Sequence, residues 1–181
     1  MKSMYFAALV LPKELNQKVL KYKHFMQERY ECKVGLKSPA HITIIAPFWY
    51  NEEKEKDLVR LVENISEHSH PFLISTHNFS AFKPKTIFIA LKENEHLNHL
   101  KRIADELLSH QEGIAFKPED RQFHPHITIA TRDLFKKDFY DAWAHFVEKE
   151  FMEQWIAEGL SLLRHNKKNW DVIYTSQFRN I

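Results

Sequence analysis

The sequence is poor in cysteine and glycine, lacks long apolar runs and carries little net charge. Its only cysteine is Cys32, which excludes an internal disulfide and a cysteine-rich zinc site and favours a reducing compartment. No apolar run approaches the roughly 20 residues that a membrane-spanning helix needs. The formal net charge is +2, which excludes a basic face that coats a polyanion and confines any nucleic-acid contact to a pocket.

The first residues, MKSMYFAALVLP, look only superficially like a secretory signal peptide. The apolar run from Met4 to Leu11 is short, Pro12 ends it, and no small-residue cleavage site follows. We therefore expect a first strand and a cytoplasmic protein. Since 44% of the 181 residues are hydrophobic, the chain can bury a sizeable core, and we expect residues 1–181 to form a single domain of two lobes.

Hydrophobic periodicity predicts the same order of elements twice: strand, helix, strand, helix, strand. We expect strands at residues 5–11, 41–45, 72–82, 86–91, 126–130, 155–164 and 171–178. We expect helices at residues 13–30, 52–65, 97–108 and 139–147, the second capped by Asn51. Pro47 should end the second strand, and a loop should contain Gly113 and Pro118. The chain is therefore predicted to be a duplicated α+β protein.

The tetrapeptide His-Ile-Thr-Ile occurs twice, as HITII at 41–45 and as HITIA at 126–130. A tetrapeptide recurs by chance in about one chain in ten of this length, so identity alone is weak evidence of a repeat. The two copies, however, fall on equivalent predicted strands. The interval from His41 to His126 nearly equals that from Phe6 in FAAL to Phe88 in FIAL. The motifs therefore mark equivalent positions in two lobes.

The spacing within each motif suits acid–base chemistry. Alternate residues of a strand share a face, so His41 and Thr43 should point together, as should His126 and Thr128, with the isoleucines opposite. Two imidazoles with an ordinary pKa of about 6.5 can divide the roles of base and acid. Two hydroxyls can donate hydrogen bonds to anionic oxygens. Such a set suits attack on a phosphodiester without a metal.

The motifs AHITII and PHITIA and the opening MYFAALVLP resemble the 2H phosphoesterase superfamily. Within it, the chain looks like the bacterial and archaeal 2'-5' RNA ligase and RNA 2',3'-cyclic phosphodiesterase group. The resemblance implies a bilobal fold in which two antiparallel β-sheets line a central cleft, with helices packed outside and no cofactor or required metal. It also implies that His41 and His126 are catalytic and that Thr43 and Thr128 bind the phosphate.

Arg132 and Phe48, which follow the second and the first motif, are two further residues whose roles the sequence predicts. Members of the RNA-specific group often have an arginine directly after the second motif, as in HITIAR, whereas Arg132 comes one residue later. Because one residue reverses the face of a strand, we expect Arg132 not to take that role. Phe48 follows the first motif and is a candidate for stacking on a nucleobase, although aromatics at a strand end more often cover the core.

The expected function is metal-independent hydrolysis of the 2',3'-cyclic phosphate of RNA ends or small nucleotides, which by resemblance gives a 2'-phosphate. Ligation or cleavage of 2'-5' or other cyclic phosphodiesters at the same site stays open, as does a nucleotide-binding module without turnover. A metal site at His41, His124 and His126 is a weaker alternative because no cysteine or acidic residue has ligand spacing nearby. We expect a monomer that binds RNA or a nucleotide, with no stable protein partner and no membrane association.

Overall fold

A computed structural model describes residues 1–114 and 122–180 and has the predicted α+β class. The eight strands of the described part are β1 (Lys2–Val10), β2 (His41–Asn51), β3 (Phe72–Phe82), β4 (Thr86–Leu91), β5 (His126–Ala130), β6 (Gln154–Ala157), β7 (Gly159–His165) and β8 (Trp170–Gln177). Its four α-helices are α1 (Lys13–Tyr30), α2 (Glu55–Glu67), α3 (Glu95–Ser109) and α4 (Lys136–Phe146). Two short 3₁₀ turns occur at Val34–Lys37 and Glu52–Lys54.

The strands form one antiparallel sheet whose order reflects the duplication. The order is β6-β3-β4-β5-β2-β1-β7-β8, so each half of the sheet has four strands. The halves meet between β2 and β5, which are registered at a single pair, Ile42 with Ile127. The two predicted antiparallel sheets therefore adjoin along the two strands that carry His-Ile-Thr-Ile.

The helices tie the two halves together. Helix α1 follows β1 in the first half but packs against β5 of the second, and α3 follows β4 but packs against β2. The motif isoleucines on these strands are almost completely buried, at 0–1% exposure: Ile42, Ile44, Ile127 and Ile129. Each such burial contributes about 1.5–3 kcal/mol, so the isoleucines fix which face of each motif strand turns away from the helices.

Two predicted strand boundaries are wrong. Strand β2 does not end at Pro47 but continues to Asn51. Pro47 lies at a β-bulge, where the register shifts between the pairs Ala7–Ile45 and Tyr5–Phe48. A proline is tolerated at such a bulge because its missing N–H is not needed there. The predicted strand 155–164 is two strands, β6 and β7, which pair with β3 in one half and with β1 in the other.

Other expectations agree with the structure or fall outside it. Asn51 caps the 3₁₀ turn that leads into α2, since its Oδ1 accepts a hydrogen bond from the N–H of Glu53 at 3.2 Å. The loop expected around Gly113 extends to Pro118, which lies outside the described residues. Among the described helices, none combines the length and the apolar composition that crossing a membrane requires.

Candidate functional site

The two His-x-Thr motifs lie side by side at the centre of the sheet. Their strands are antiparallel, and cross-strand neighbours point to the same face, so the histidine of each motif lies near the threonine of the other. His41, Thr43 and Thr128 line one cavity of about 320 Å³. His126 adjoins it closely enough for its charge to influence the pKa of His41. The structure thus brings the four predicted residues to one place.

Both histidine rings are held in the same way. The Nδ1 of His41 lies 2.7 Å from the carbonyl oxygen of Pro39, and the Nδ1 of His126 lies 2.7 Å from that of His124. A carbonyl oxygen can only accept, so each Nδ1 carries a hydrogen and donates it. In the neutral ring, Nε2 therefore keeps its lone pair and can take up a proton.

Equivalent phenylalanines cover the two imidazoles. The ring centroids of Phe6 and His41 are 4.9 Å apart, and so are those of Phe88 and His126. These phenylalanines belong to the FAAL and FIAL segments and lie on β1 and β4, the strands next to the motif strands. The duplication therefore repeats the apolar surroundings of each histidine as well as the histidine itself.

These surroundings make both imidazoles weak bases. Loss of hydration lowers the pKa of His41 to about 4, with the carbonyl bond opposing the shift and the charges of Lys23 and His126 adding to it. Loss of hydration also lowers the pKa of His126, again opposed by its carbonyl bond. Both rings are thus neutral at pH 7 in the unliganded protein, and an anionic ligand would favour their protonation.

Cations surround the motif residues on the cavity wall. Lys23 from α1, Lys37 from the 3₁₀ turn and Arg132 after β5 all line the cavity, and no acidic side chain of the described residues does so. A concave wall with this excess of positive charge attracts anions. The cavity is therefore suited to a phosphorylated ligand.

Arg132 reaches the cavity although its spacing suggested otherwise. Strand β5 ends at Ala130, and Arg132 adopts a left-handed backbone conformation with a φ of 50°. Alternation of faces applies only while the chain stays extended, so it does not determine the direction of a side chain in this turn. The reversal of face expected from the extra residue therefore does not keep Arg132 out of the cavity.

The 3₁₀ turn Val34–Lys37 is fixed against β5. One carboxylate oxygen of Asp133 accepts hydrogen bonds from the backbone N–H groups of Lys33 and Val34 at 2.5 and 2.8 Å. A Cβ at Gly35 would lie 2.5 Å from the carbonyl oxygen of Ile129, so only glycine allows this approach. The close packing carries Lys37 and the adjacent residue 38 to the cavity.

The aromatic side chains after the first motif lie on different faces. Phe48 pairs with Tyr5 and packs on it, with ring centroids 6.4 Å apart, on the core side of the sheet. Trp49 pairs with Met4, which lines the cavity, and is 58% exposed. The structure therefore does not bring Phe48 to the cavity, and its neighbour Trp49 lies on the cavity side.

Sequence reasoning missed several cavity residues: Lys23, Lys37, Thr131 and Trp170. Only Lys23 had an available signal. It lies on the same helical face as Val19 and Met26, both fully buried, and a lysine is seldom placed on an apolar face without a role. The other three are in turns or at a strand start, where no periodicity indicates direction.

The alternative metal site has no support in the described residues. Across residues 1–114 and 122–180, no cluster of three or more His, Cys, Asp or Glu side chains could hold a metal ion. The ring of His124 lies edge-on to Phe82, with centroids 5.1 Å apart, while its backbone carbonyl orients His126. His124 thus positions its neighbour through the main chain.

Comparison with known protein families gives one match over most of the chain. The model of the 2'-5' RNA ligase superfamily matches residues 12–169. A Geobacillus thermodenitrificans protein named "Putative phosphoesterase" is 33% identical over 120 residues, 65% of each chain, so the chain spans just under two thirds of that relative. A Geobacillus kaustophilus protein with the same designation is 27% identical over 173 residues, 95% of each chain.

Solved structures share the fold. The Thermus thermophilus protein TT0787 has a TM-score of 0.71 at 20% identity, with 98% of both chains covered. E. coli LigT in complex with 3'-AMP has a TM-score of 0.68 at 16% identity, covering 99% of this chain and all of LigT. At these identities the likeness establishes the architecture alone.

Proposed function

The chain belongs to the 2'-5' RNA ligase superfamily of 2H phosphoesterases, and from that premise we propose that it hydrolyses 2',3'-cyclic phosphates of RNA ends or nucleotides. The observation that carries the proposal is the matched pair of imidazoles. Both have Nδ1 bonded to a backbone carbonyl at 2.7 Å, which leaves both Nε2 atoms for proton transfer on one face of the sheet.

The proposed reaction needs one neutral and one protonated imidazole. The neutral histidine takes a proton from water, and the water oxygen attacks phosphorus. The bond from phosphorus to the ribose 3' oxygen breaks, and the protonated histidine gives its proton to that oxygen. The product is a 2'-phosphate, and the two histidines have exchanged protonation states. His41 and His126 fill these two roles, and no redox step or co-reactant is required.

Thr43 and Thr128 are proposed to hold the phosphate. Each hydroxyl can donate one hydrogen bond to a non-bridging oxygen that gains charge in the transition state. Arg132 lies on the same cavity wall and is proposed to add a charged donor. Trp49 on the cavity side is better placed than Phe48 to stack on a base, so we propose the stacking role for Trp49 and keep Phe48 as a prediction to be tested beside it.

The proposal is tested with a panel of adenosine 2',3'-cyclic phosphate, cyclic-phosphate-ended RNA and 2'-5'-linked dinucleotides, assayed with and without EDTA. We expect the cyclic phosphates to turn over at the same rate in both conditions. His41→Ala and His126→Ala should each lower the rate by about 10²–10⁴, the range for a positioned proton donor or acceptor. Thr43→Val and Thr128→Val should each lower it by about 10²–10³.

The same panel separates the rival functions. Turnover or formation of 2'-5' linkages in preference to cyclic phosphates would favour the ligase direction of the family name. Binding of every compound without turnover would indicate a nucleotide-binding module. Loss of activity in EDTA that returns with added zinc would contradict the metal-independent mechanism.

A further inference from the structure

Lys23 is a buried cation that the proposed reaction does not use. It is 3% exposed, lies on α1 and lines the cavity. Its Nζ lies 3.3 Å from the carbonyl oxygen of Ser38, and within the described residues no carboxylate lies within ion-pair distance of it. One hydrogen bond leaves two N–H donors of the ammonium group without a protein partner there.

Burial of this charge is costly without a matching anion. Loss of hydration lowers the pKa of Lys23 to about 8, so the side chain is still mostly protonated at pH 7. A methionine of similar shape would fill the same space without a desolvation penalty. The burial of Lys23 is therefore consistent with a ligand site, because a bound anion would supply the ion-pair partner that the ammonium group lacks among the described residues.

The cation lies beside the 3₁₀ turn, which forms part of the cavity wall. The Cγ of Lys23 is 3.8 Å from the position that a Cβ of Gly35 would take, and its Nζ bonds to residue 38 at the end of the turn. Lys37 lines the cavity from the same turn. Two lysines from neighbouring elements thus line the same cavity.

The three cationic side chains of the cavity wall carry more positive charge than one reacting phosphodiester requires. A cyclic phosphodiester carries one negative charge, and Thr43, Thr128, Arg132 and a protonated histidine already provide donors for it. The cavity of about 320 Å³ falls within the size range of sites that hold a small ligand, so it has room for more than the reacting phosphate.

We propose that Lys23 and Lys37 form a subsite for a second phosphate group, so that the preferred substrates carry another phosphate besides the reacting one. A 5'-phosphorylated nucleoside cyclic phosphate and the 3' end of an RNA chain both belong to this class. The inference rests on the proposed function for the reacting phosphate and adds the selection of the substrate.

The test compares adenosine 2',3'-cyclic phosphate with and without a 5'-phosphate. We expect the wild type to have the higher kcat/KM for the 5'-phosphorylated compound by about 10-fold or more, as for a charged hydrogen bond. Lys23→Met should lower this preference toward one, chiefly through KM, and Lys37→Met should lower it less because Lys37 is exposed to water. Lys21→Met, on the exposed face of the same helix, is the matched control and should keep the preference.

Two further measurements distinguish a failure of the phosphate subsite from a failure of the proposed hydrolysis. Calorimetric Kd values for adenosine 2'-phosphate and adenosine 2',5'-bisphosphate test the subsite without turnover, so they remain decisive if neither cyclic compound is hydrolysed. Thermal melting of Lys23→Met should show an unchanged or higher Tm, whereas a purely structural lysine would give a lower Tm with the preference intact. Equal kcat/KM and equal Kd for each pair in the wild type would overturn the subsite and leave the proposed hydrolysis standing. A uniform loss on both substrates in Lys23→Met would overturn it too, placing the lysine at the reacting phosphate.

Discussion

A histidine that loses part of its hydration binds its proton less strongly, and here this happens twice in the same way. Phe6 and Phe88 cover the imidazoles, and backbone carbonyls fix their Nδ1 atoms. The sequence could predict the histidine pair because the motif and its phenylalanine recur at matched intervals. It could not predict the tautomer, which depends on how the residues before each motif turn back toward the ring.

The lowered histidine pKa values predict an acidic optimum for kcat/KM. Activity requires one protonated and one neutral imidazole, so it falls above the upper and below the lower apparent pKa of the pair. Both pKa values of the unliganded rings lie below their ordinary 6.5, at about 4 for His41, so kcat/KM should peak below pH 6.5. An anionic substrate stabilises the protonated ring, so the kcat profile should peak at a higher pH.

Full pH profiles of kcat and kcat/KM on one cyclic nucleotide measure this difference. The profile of Lys21→Met, a change on the exposed side of α1, serves as the control and should match that of the wild type. A kcat/KM optimum above pH 7.5 would contradict the lowered pKa of both rings in the unliganded protein.

At the scale of the elements, single-residue irregularities decided which predictions held. The alternation of faces in the two motifs was predicted correctly, because a buried isoleucine on either side of each threonine leaves one possible register. The bulge before Phe48 and the turn after Ala130 shift the faces of the following residues. Neither irregularity has a strong sequence signal. The expectation for Arg132 assumed that faces keep alternating after the motif, and that for Phe48 assumed that a residue directly after the motif lies at the cavity.

The bulge in β2 predicts opposite consequences for two neighbouring aromatic residues. Trp49→Ala removes an exposed ring on the cavity side and should raise KM for a cyclic nucleotide by about 5–150-fold, the cost of losing one stacked base, with little change in Tm. Phe48→Ala removes a ring packed on Tyr5 and should lower Tm while leaving KM near that of the wild type. The reverse pattern would place Phe48 at the base and restore the prediction made from the sequence.

The contact of the 3₁₀ turn with β5 predicts a substitution that affects both stability and binding. Gly35→Ala places a Cβ against the carbonyl oxygen of Ile129, so the turn must lift away and take Lys37 with it. We expect a lower Tm and a higher KM, because forcing such overlaps costs about 1–3 kcal/mol. Gly159→Ala is the matched control, since its Cβ would overlap the carbonyl oxygen of Ser176 at the far end of β7 and β8.

Thermal melts and steady-state kinetics on both glycine variants distinguish the two effects. Gly159→Ala should lose stability alone. If Gly35→Ala loses stability with an unchanged KM, then the turn does not hold the binding residues.

At the scale of the whole molecule, the duplication gives two halves that depend on each other. The sequence predicted the repeated order of elements, but not that α1 packs on β5 and α3 on β2, since periodicity identifies an apolar face without naming its partner. Nor did it show that β6 and β7 pair at distant places in the sheet. Because each half uses a helix from the other, neither half has a complete core of its own.

This exchange of helices predicts that residues 1–181 unfold as one cooperative domain. Trp155 on β6 and Trp170 on β8 report on opposite ends of the sheet. Two variants keep Trp155 or Trp170 as the single tryptophan, with the other three replaced by phenylalanine. In each variant, fluorescence and far-UV circular dichroism should give the same denaturant midpoint. Ile127→Ala removes a fully buried side chain at the junction of the halves and should lower the free energy of unfolding by about 2–5 kcal/mol at both reporters equally. Separate denaturant midpoints, or an effect of Ile127→Ala seen only at Trp155, would mean that the two halves unfold independently. The site between the halves would then depend on an interface that is less stable than the core of either half.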